Sequence, residues 1–258
     1  MRYYVVDVFT DKRFHGNPAG VCLLNKPLDA TVMQQIAAEN NLAETAFLLH
    51  ENDRFSLRWF TPKVEIDLCG HATLATALVL MNEAEPERKR VEFETLSGTL
   101  TVTRQQDVYF MDFPRRKPVP CDVPALLSEA LGVPVIETHR SRDLVAVLQS
   151  EEAVRTVTPD FARLKQIDDV FAVIVTAKGE RFDFVSRFFA PNAGIDEDPV
   201  TGSSHSTLIP FWSERLGKTE LTAAQLSPRG GTLLCRDTGE RVIIGGTGVV
   251  YLTGEIVH

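Results

Sequence analysis

The decapeptide RWFTPKVEID, from Arg58 to Asp67, recurs half a chain length later as RFFAPNAGID, from Arg187 to Asp196. The copies share an arginine, an aromatic residue, a phenylalanine, a proline, an isoleucine and an aspartate at the same offsets. Two further pairs of segments follow in the same order: CGHATLATALVLM with TGSSHSTLIPFW, and LSGTL with RGGTL. Three matches in one order indicate an internal duplication. We therefore predict two similar domains.

The segment after each decapeptide predicts a buried helix. From Leu68 to Asn82, apolar side chains surround the predicted helix instead of forming one stripe. A helix that is apolar on all sides is buried on all sides. The second copy contains Pro210, which we expect to kink its helix because proline removes a backbone donor. Elsewhere, β-branched and aromatic alternation predicts mostly strands. Each half is thus predicted to consist mostly of strands, with one central helix wrapped by its own sheet.

The boundary between the halves is predicted in DFPRRKPVPCDVP, from Asp112 to Pro124. Four prolines and a basic cluster interrupt both the helical and the strand periodicities there. We place the N-terminal domain at residues 1–116 and the C-terminal domain at residues 117–258, with a terminal strand that could cross back to the first domain.

Composition excludes several classes of function. The 258 residues carry 27 Lys+Arg against 35 Asp+Glu, a formal charge of −8. This is the opposite of the basic balance that nucleic-acid binding requires. The strongly apolar run from Ala72 to Met81 is too short for the roughly 20 residues of a membrane span. No export signal is recognised at the start, and the four cysteines form no CxxC. We therefore expect a soluble cytoplasmic protein with free thiols and without a membrane partner.

The beginnings of the two central helices are candidate anion sites. The first N–H groups of a helix lack an intrahelical partner, and the helix dipole is positive at that end. Neither Leu68 nor Cys69 is a good cap for a helix that starts near Gly70. A carboxylate could bind there. Our hypothesis is that this helix start and the equivalent one at Gly202 face one cleft between the domains.

Other chemistries fit the sequence less well. Ser203 and His205 are two residues apart, so on a helix they cannot share the hydrogen bond of a hydrolytic triad. Asp196 and Asp198 begin like a calcium loop, but the following residues lack its further ligand and its glycine. No HExxH is present, and we predict no metal site.

Cys69 and Glu44 are the remaining candidates for proton-transfer chemistry. A racemase with one thiol from each half could use Cys69, but the second half has Thr201 at the equivalent position. Glu44 lies between a predicted helix and a predicted strand, where a carboxylate could overhang a cleft. From the sequence alone, a solvent-exposed glutamate is the more common outcome.

Four motifs in this order resemble the phenazine-biosynthesis PhzF-like family across nearly the whole chain: VDVFTDKRFHGNPAGV, NLAETAF, RWFTPKVEIDLCGHATLATA and EDPVTGSSH. The resemblance implies the α+β diaminopimelate-epimerase fold: two pseudo-symmetric domains, each a β-barrel-like mixed sheet wrapped around a central helix, with an active site between them. It also implies a homodimer and a cofactor-free isomerase acting on a small carboxylate.

The resemblance assigns roles to particular residues. A glutamate matching Glu44 would shuttle a proton between carbons of the substrate, and His71, Asp198 and Ser203 would assist. The residues expected to contact the substrate are Asn17, Gly70, Ala72, Thr201, Gly202 and Ser204. Around both helix starts the sequence differs from the phenazine enzyme itself, so an aromatic dihydroxy acid is not implied as substrate. Two alternatives stay open: a racemase using Cys69 with a non-thiol partner, and a non-catalytic carboxylate-binding protein.

Overall fold

The computed structural model describes residues 1–257, and within them the chain is a mixed α+β protein. Its strands in the first half of the chain are β1 (Arg2–Val8), β2 (Asn17–Leu24), β3 (Thr45–Glu51), β4 (Arg54–Phe60), β5 (Glu65–Ile66), β6 (Arg90–Thr95), β7 (Gly98–Gln105), β8 (Val108–Pro114) and β9 (Val119–Cys121). Those in the second half are β10 (Glu137–Arg140), β11 (Leu144–Val147), β12 (Val173–Lys178), β13 (Phe184–Ala190), β14 (Ile195–Asp198), β15 (Glu220–Gln225), β16 (Gly231–Asp237), β17 (Arg241–Gly246) and β18 (Gly248–Glu255).

The α-helices are α1 (Ala30–Asn40), α2 (Gly70–Val79), α3 (Leu127–Leu131), α4 (Glu151–Thr156), α5 (Phe161–Leu164) and α6 (Gly202–Leu216). A π-helical turn over Leu80–Ala84 extends α2, and a short 3-10 turn covers Pro191–Ala193. Within the described part of the chain, none of these helices combines the length and the apolar character needed to cross a membrane.

The chain divides into two compact units. The first unit comprises Met1–Asp112 together with the segment from Gly245 onward. The second unit is Phe113–Ile244. The closing segment of the chain therefore belongs with its beginning.

A mixed sheet builds the first unit. Strand β1 pairs antiparallel with both β18 and β2, and β2 pairs parallel with β3. Strand β4 is antiparallel to β3 and parallel to β6, after which β6, β7 and β8 form an antiparallel meander. Helix α2 packs against β1, β2, β3 and β18, and all of its residues from His71 to Val79 are buried. A central helix inside its own sheet, predicted from the apolar pattern, is confirmed in this unit.

The second unit repeats this plan. Strands β9, β10 and β11 pair antiparallel in turn, β11 is parallel to β12, and β13 is antiparallel to β12 but parallel to β15. Helix α6 packs against β15 and β16, and its residues from Ser204 to Trp212 are buried. The indole of Trp212 stacks on Phe184 and donates to Thr176 Oγ1 at 3.0 Å. These contacts fix the second central helix in its core.

Helix α6 accommodates the proline that the sequence marks as a kink site. It runs from Gly202 to Leu216 with Pro210 in its interior. Because proline has no N–H, the Ser206 carbonyl one turn earlier loses its intrahelical donor. The backbone N–H of Arg116 donates to that carbonyl at 3.0 Å. A segment outside the helix thus supplies the hydrogen bond that Pro210 removes.

Candidate active site

Glu44, Cys69 and His71 form a buried cluster in the first unit. Glu44 directly precedes β3, and its carbonyl accepts from the N–H of Gly20 at 3.1 Å, where the parallel pairing of β2 with β3 begins. Cys69 and His71 flank Gly70, the first residue of α2. The strand pairing and the helix start therefore bring together residues that lie far apart in the sequence.

His71 lies between the other two side chains. Its Nε2 atom is 3.1 Å from Glu44 Oε2, and its Nδ1 atom is 3.6 Å from Cys69 Sγ. The Glu44 and His71 side chains are only 11% and 8% exposed. Glu44 Oε2 and His71 Nε2 are partners in this ion pair, and neither atom has a further hydrogen-bond partner among the described residues. The cluster is thus closely spaced and buried.

The environment sets the charges of the cluster. Burial raises the pKa of the Cys69 thiol, and the neighbouring Glu44 carboxylate raises it further. Cys69 is therefore a neutral thiol near neutral pH. Burial lowers the pKa of His71, but the close contacts of its ring with Cys69 and with the Glu44 carboxylate outweigh burial and raise the pKa above its usual value. With Cys69 protonated, the Glu44 carboxylate is the group that favours the imidazolium form of His71.

Helix α2 begins without a side-chain cap. Its N-cap, Cys69, is extended and makes no capping hydrogen bond through its side chain. The Cys69 carbonyl instead accepts from Thr73, through its backbone N–H at 3.1 Å and its hydroxyl at 2.6 Å. Ala72 is fully buried in the first turn, so only its backbone could serve a ligand. The positive end of α2 therefore lies beside the Glu44 and His71 side chains.

A separate set of polar residues lies at the start of α6 in the second unit. Its N-cap, Thr201, also makes no capping hydrogen bond. The Thr201 hydroxyl donates to Asp198 Oδ2, which joins two of the predicted site residues. The Ser204 hydroxyl donates back to the Thr201 carbonyl at 2.8 Å and is buried. Ser204 therefore uses its hydroxyl within the helix start.

Gln225 holds the loop that leads into α6. Its Oε1 atom accepts from the Thr201 N–H at 2.9 Å, and its Nε2 atom donates to the Asp198 carbonyl at 2.7 Å. The Gln225 side chain is fully buried. The sequence pattern does not indicate this role, because Gln225 ends β15 and lies well beyond the loop in the chain.

Arg142 is a second residue that the sequence did not single out. Its guanidinium donates to both oxygens of the buried Asp143 at 2.9 Å and to Ser203 Oγ at 3.3 Å. It also lies over the ring of Phe171, 5.0 Å from the centroid. A positive charge thus contacts the first turn of α6, next to the predicted residue Ser203.

Asn17 and His205 are two further buried residues, and the contacts described for them belong to the packing of the fold. Asn17 opens β2, pairs with Val8 in the ladder with β1, and is completely buried. The imidazole of His205 donates through Nδ1 to the Thr201 carbonyl at 2.7 Å, and burial lowers its pKa to about 4. His205 is therefore a neutral core residue. This agrees with the rejection of a Ser203–His205 hydrolytic pair.

The first-unit cluster also offers metal-ligating atoms. Each of Glu44, Cys69 and His71 offers one possible ligand atom, and these three atoms lie within 4.8 Å of one another. The sequence analysis named the three residues separately, but no metal motif connects Glu44 to Cys69 because the two residues are distant in the chain.

Comparison with known proteins agrees with this architecture. A solved PhzF-family protein from Enterococcus faecalis is 49% identical, covers 100% of this chain and 99% of its own, and superposes with a TM-score of 0.98. A curated relative from Pseudomonas aeruginosa, named an uncharacterized isomerase, is 49% identical over 98% of this chain and 97% of its own. A predicted epimerase from Pseudomonas aeruginosa, only 19% identical, covers 100% of this chain and 99% of its own with a TM-score of 0.74 and so shares the fold.

The sequence profile of the family described as phenazine biosynthesis-like protein, PhzC-PhzF, matches residues 6–254. The match covers both compact units and includes the Glu44, Cys69 and His71 cluster as well as the start of α6. The names of the relatives support the isomerase class in general. This chain therefore belongs to the phenazine biosynthesis-like family of proteins.

Proposed function

We propose that this protein is a cofactor-independent isomerase that moves a C–H proton of a small carboxylated metabolite through Glu44. The observation that carries the proposal is the buried approach of Glu44 Oε2 to His71 Nε2, at 3.1 Å. Isomerisation by proton transfer needs one group that removes a proton from carbon and returns it to another position. A carboxylate next to an imidazolium can alternate between those two roles.

The surroundings of Glu44 support the remaining steps. The uncapped start of α2 presents backbone N–H groups and the positive end of the helix dipole, which favour a substrate carboxylate. Charge that develops on the substrate after proton removal is stabilised by preorganised donors, and the imidazolium of His71 is one. Water is largely excluded because the Glu44 and His71 side chains are only 11% and 8% exposed.

Asp198 and Ser203 are proposed as assisting residues. Asp198 is held by Thr201, and Ser203 is contacted by the guanidinium of Arg142. We expect Asp198→Asn and Ser203→Ala to slow the same reaction without abolishing it.

Deuterium exchange into candidate substrates tests the proposal. A panel of small carboxylic acids with an acidic C–H would be incubated with protein in D2O and followed by NMR. Glu44→Gln should reduce exchange by a factor of at least about 100, which is the usual contribution of a general base. Glu39→Gln makes the same chemical change at an exposed position of α1 and should leave exchange unchanged.

A thiol-based racemase is the second candidate, favoured by the 3.6 Å approach of Cys69 Sγ to His71 Nδ1. Against it, burial raises the pKa of that thiol and disfavours the thiolate that would act as the base. Loss of exchange in Cys69→Ala with Glu44→Gln still active would replace our proposal with this one. Tight binding of a carboxylate without exchange would indicate a binding protein instead.

A further inference from the structure

A pair of arginines lies beside the first turn of α6 in the second unit. Arg142 donates to Ser203 Oγ at 3.3 Å, and the backbone N–H of Arg116 donates to the Ser206 carbonyl at 3.0 Å. Ser203 and Ser206 are three positions apart, so they lie on the same face of the helix. Burial lowers the pKa of the Arg116 guanidinium, and the charge of Arg142 lowers it further, so the two side chains lie near each other.

The positive charge of this pair is only partly compensated. Arg142 has a counter-ion, because its Nε and Nη2 atoms donate to both oxygens of the buried Asp143. The Arg116 side chain makes no hydrogen bond or ion pair within residues 1–257, and Asp143 is the acidic residue whose charge acts on it. A partly buried arginine without its own counter-ion is unfavourable, because its charge has lost part of its hydration. Two guanidinium groups against one carboxylate leave an excess positive charge, which favours a bound anion.

Hydrogen-bond donors surround this charge. The contacts of Arg142 with Asp143 and Ser203 use its Nε and Nη2 atoms, whereas Nη1 makes no hydrogen bond within residues 1–257. The Ser203 hydroxyl accepts from Arg142, and its own proton is donated to no other described residue. The Arg142 guanidinium also lies over the ring of Phe171, 5.0 Å from the centroid, so its orientation is fixed before a ligand arrives. Arg142 Nη1, the Ser203 hydroxyl and the Arg116 guanidinium are thus available to one anion.

We propose that Arg116, Arg142 and Ser203 form a carboxylate-binding site, in which neither arginine belongs to the sequence motifs that mark the family. Arginine suits this ligand because its planar fork matches the two oxygens of a carboxylate. A carboxylate carries one negative charge and matches the excess charge of the pair, whereas a phosphate monoester carries about −1.5 to −2. One consequence rests on the proposed function: since Ser203 is proposed to assist that reaction, the arginines hold a carboxylate of its substrate, and Arg116 affects substrate affinity more than the rate of proton transfer.

Carboxylate binding is tested on the full chain, independently of any activity. Protein labelled with ¹⁵N-arginine would be titrated with sodium acetate at constant ionic strength, and the side-chain Nε–H signals followed by NMR. The signals of Arg116 and Arg142 are identified by their absence in Arg116→Gln and Arg142→Lys. We expect both signals to shift along one saturable curve in native protein. Arg116→Gln should bind acetate at least about tenfold more weakly, which corresponds to the loss of one charge-assisted hydrogen bond. Arg142→Lys keeps a positive charge beside Asp143 but lacks the fork, so it should also weaken binding.

Arg116→Gln also separates a binding role from a structural one. Its removal leaves no carboxylate in the described part of the chain without a partner, so urea unfolding in chloride buffer should show the same stability as native protein or a higher one. An arginine that served the fold would cost stability when replaced. Arg181→Gln makes the same change at an exposed arginine between β12 and β13, and it should bind acetate as native protein does. A parallel titration with inorganic phosphate compares the two anions, and we expect acetate to bind more tightly.

Acetate shifts that do not saturate, or an acetate affinity that is equal in native protein and Arg116→Gln, would overturn the proposal, as would tighter binding of phosphate. The deuterium-exchange assay separates this result from the proposed function. With a substrate found in the carboxylate panel, Arg116→Gln should raise KM at least about tenfold and lower kcat much less. Saturable acetate binding without exchange of any carboxylate would leave the site standing and contradict the proposed function. Exchange with an unchanged KM in Arg116→Gln would leave the proposed function standing and contradict the part of the arginines in substrate binding.

Discussion

Two buried histidines occupy the first turns of the two central helices and have opposite charge preferences. His71 lies beside the Glu44 carboxylate, which raises its pKa. His205 faces the Thr201 carbonyl and the ring of Phe184, and burial lowers its pKa to about 4. The sequence places both residues at helix starts but cannot reveal these charges. The deciding neighbour of His71 is 27 positions away in the chain, at Glu44.

His205 should make stability depend on pH. In the unfolded chain its pKa is about 6.5, so the unfolded state binds more protons than the folded state between about pH 6.5 and pH 4. The stabilisation is fully present above that window and is lost as the pH falls through it. Between about pH 7.5 and about pH 5, His205 should lower the free energy of unfolding by about 2 kcal/mol.

Urea unfolding of native protein and His205→Asn at the two pH values checks this expectation. Asparagine can still donate to the Thr201 carbonyl but does not titrate. The decrease in stability between the two pH values should therefore be about 2 kcal/mol smaller in the variant. His15→Asn, at an exposed histidine, should behave like the native protein. The same pH dependence in His205→Asn and native protein would show that His205 is not the source.

At the scale of secondary-structure elements, α2 and α6 could be predicted from the sequence because apolar residues lie on every side of each helix. The loops that lead into these two helices could not be predicted in this way. The loop before α6 is held by Gln225 from the end of β15, through hydrogen bonds to Thr201 and Asp198. Helix α4 was also not predicted from the sequence, because its 6 residues are too few to show a helical periodicity. The local periodicity of apolar residues indicates which face of an element is buried. It does not indicate which distant side chain forms hydrogen bonds with the polar groups at the ends of that element.

Gln225→Ala should destabilise the protein through this loop. The substitution removes the partners of the Thr201 N–H and the Asp198 carbonyl and leaves a cavity at a fully buried position. Unsatisfied buried groups cost about 1–3 kcal/mol, so we expect a loss of about 2–4 kcal/mol once the cavity is included. Chemical denaturation measures it. Gln105→Ala, at the exposed end of β7, should change stability by no more than about 0.5 kcal/mol.

The loop prediction has a functional readout as well. If Asp198 assists the proposed reaction, Gln225→Ala should also slow deuterium exchange, because Asp198 is no longer held in place. A Gln225→Ala variant as stable as Gln105→Ala would show that the hydrogen bonds of Gln225 do not support the loop.

At the scale of the whole molecule, the duplication and the family motifs predicted the α+β class, and the structure and comparisons confirm it. For the chain ends, the sequence analysis predicted only that a terminal strand could cross back to the first domain, and neither its partner strand nor its register. Strand β18 runs alongside the whole of β1, from Arg2 opposite Glu255 to Val8 opposite Gly248. The Met1 carbonyl also accepts from the Ile256 N–H at 2.9 Å. A strand's partner depends on contacts across the full chain length, which no local pattern contains.

The packing of this closing strand on α2 leads to a prediction at two glycines of β18. A Cβ atom at Gly248 would lie 2.7 Å from Leu78 Cδ1, 3.2 Å from the Asp7 carbonyl oxygen and 3.3 Å from Val8 Cγ1. Leu78 is 1% exposed in the core and has little room to move. At Gly254 the nearest heavy atom would be 3.8 Å away, an ordinary contact.

We expect Gly248→Ala to lower the free energy of unfolding by about 1–3 kcal/mol, as overpacking of a filled core does. Gly254→Ala makes the same change in the same strand, and it should be neutral or stabilise by up to about 1 kcal/mol because it restricts the unfolded chain. Urea unfolding of both variants compares them directly. Equal stabilities would mean that β18 does not press on α2 at Gly248. A loss confined to Gly248→Ala would show that the end of the chain completes the core around the helix that carries His71.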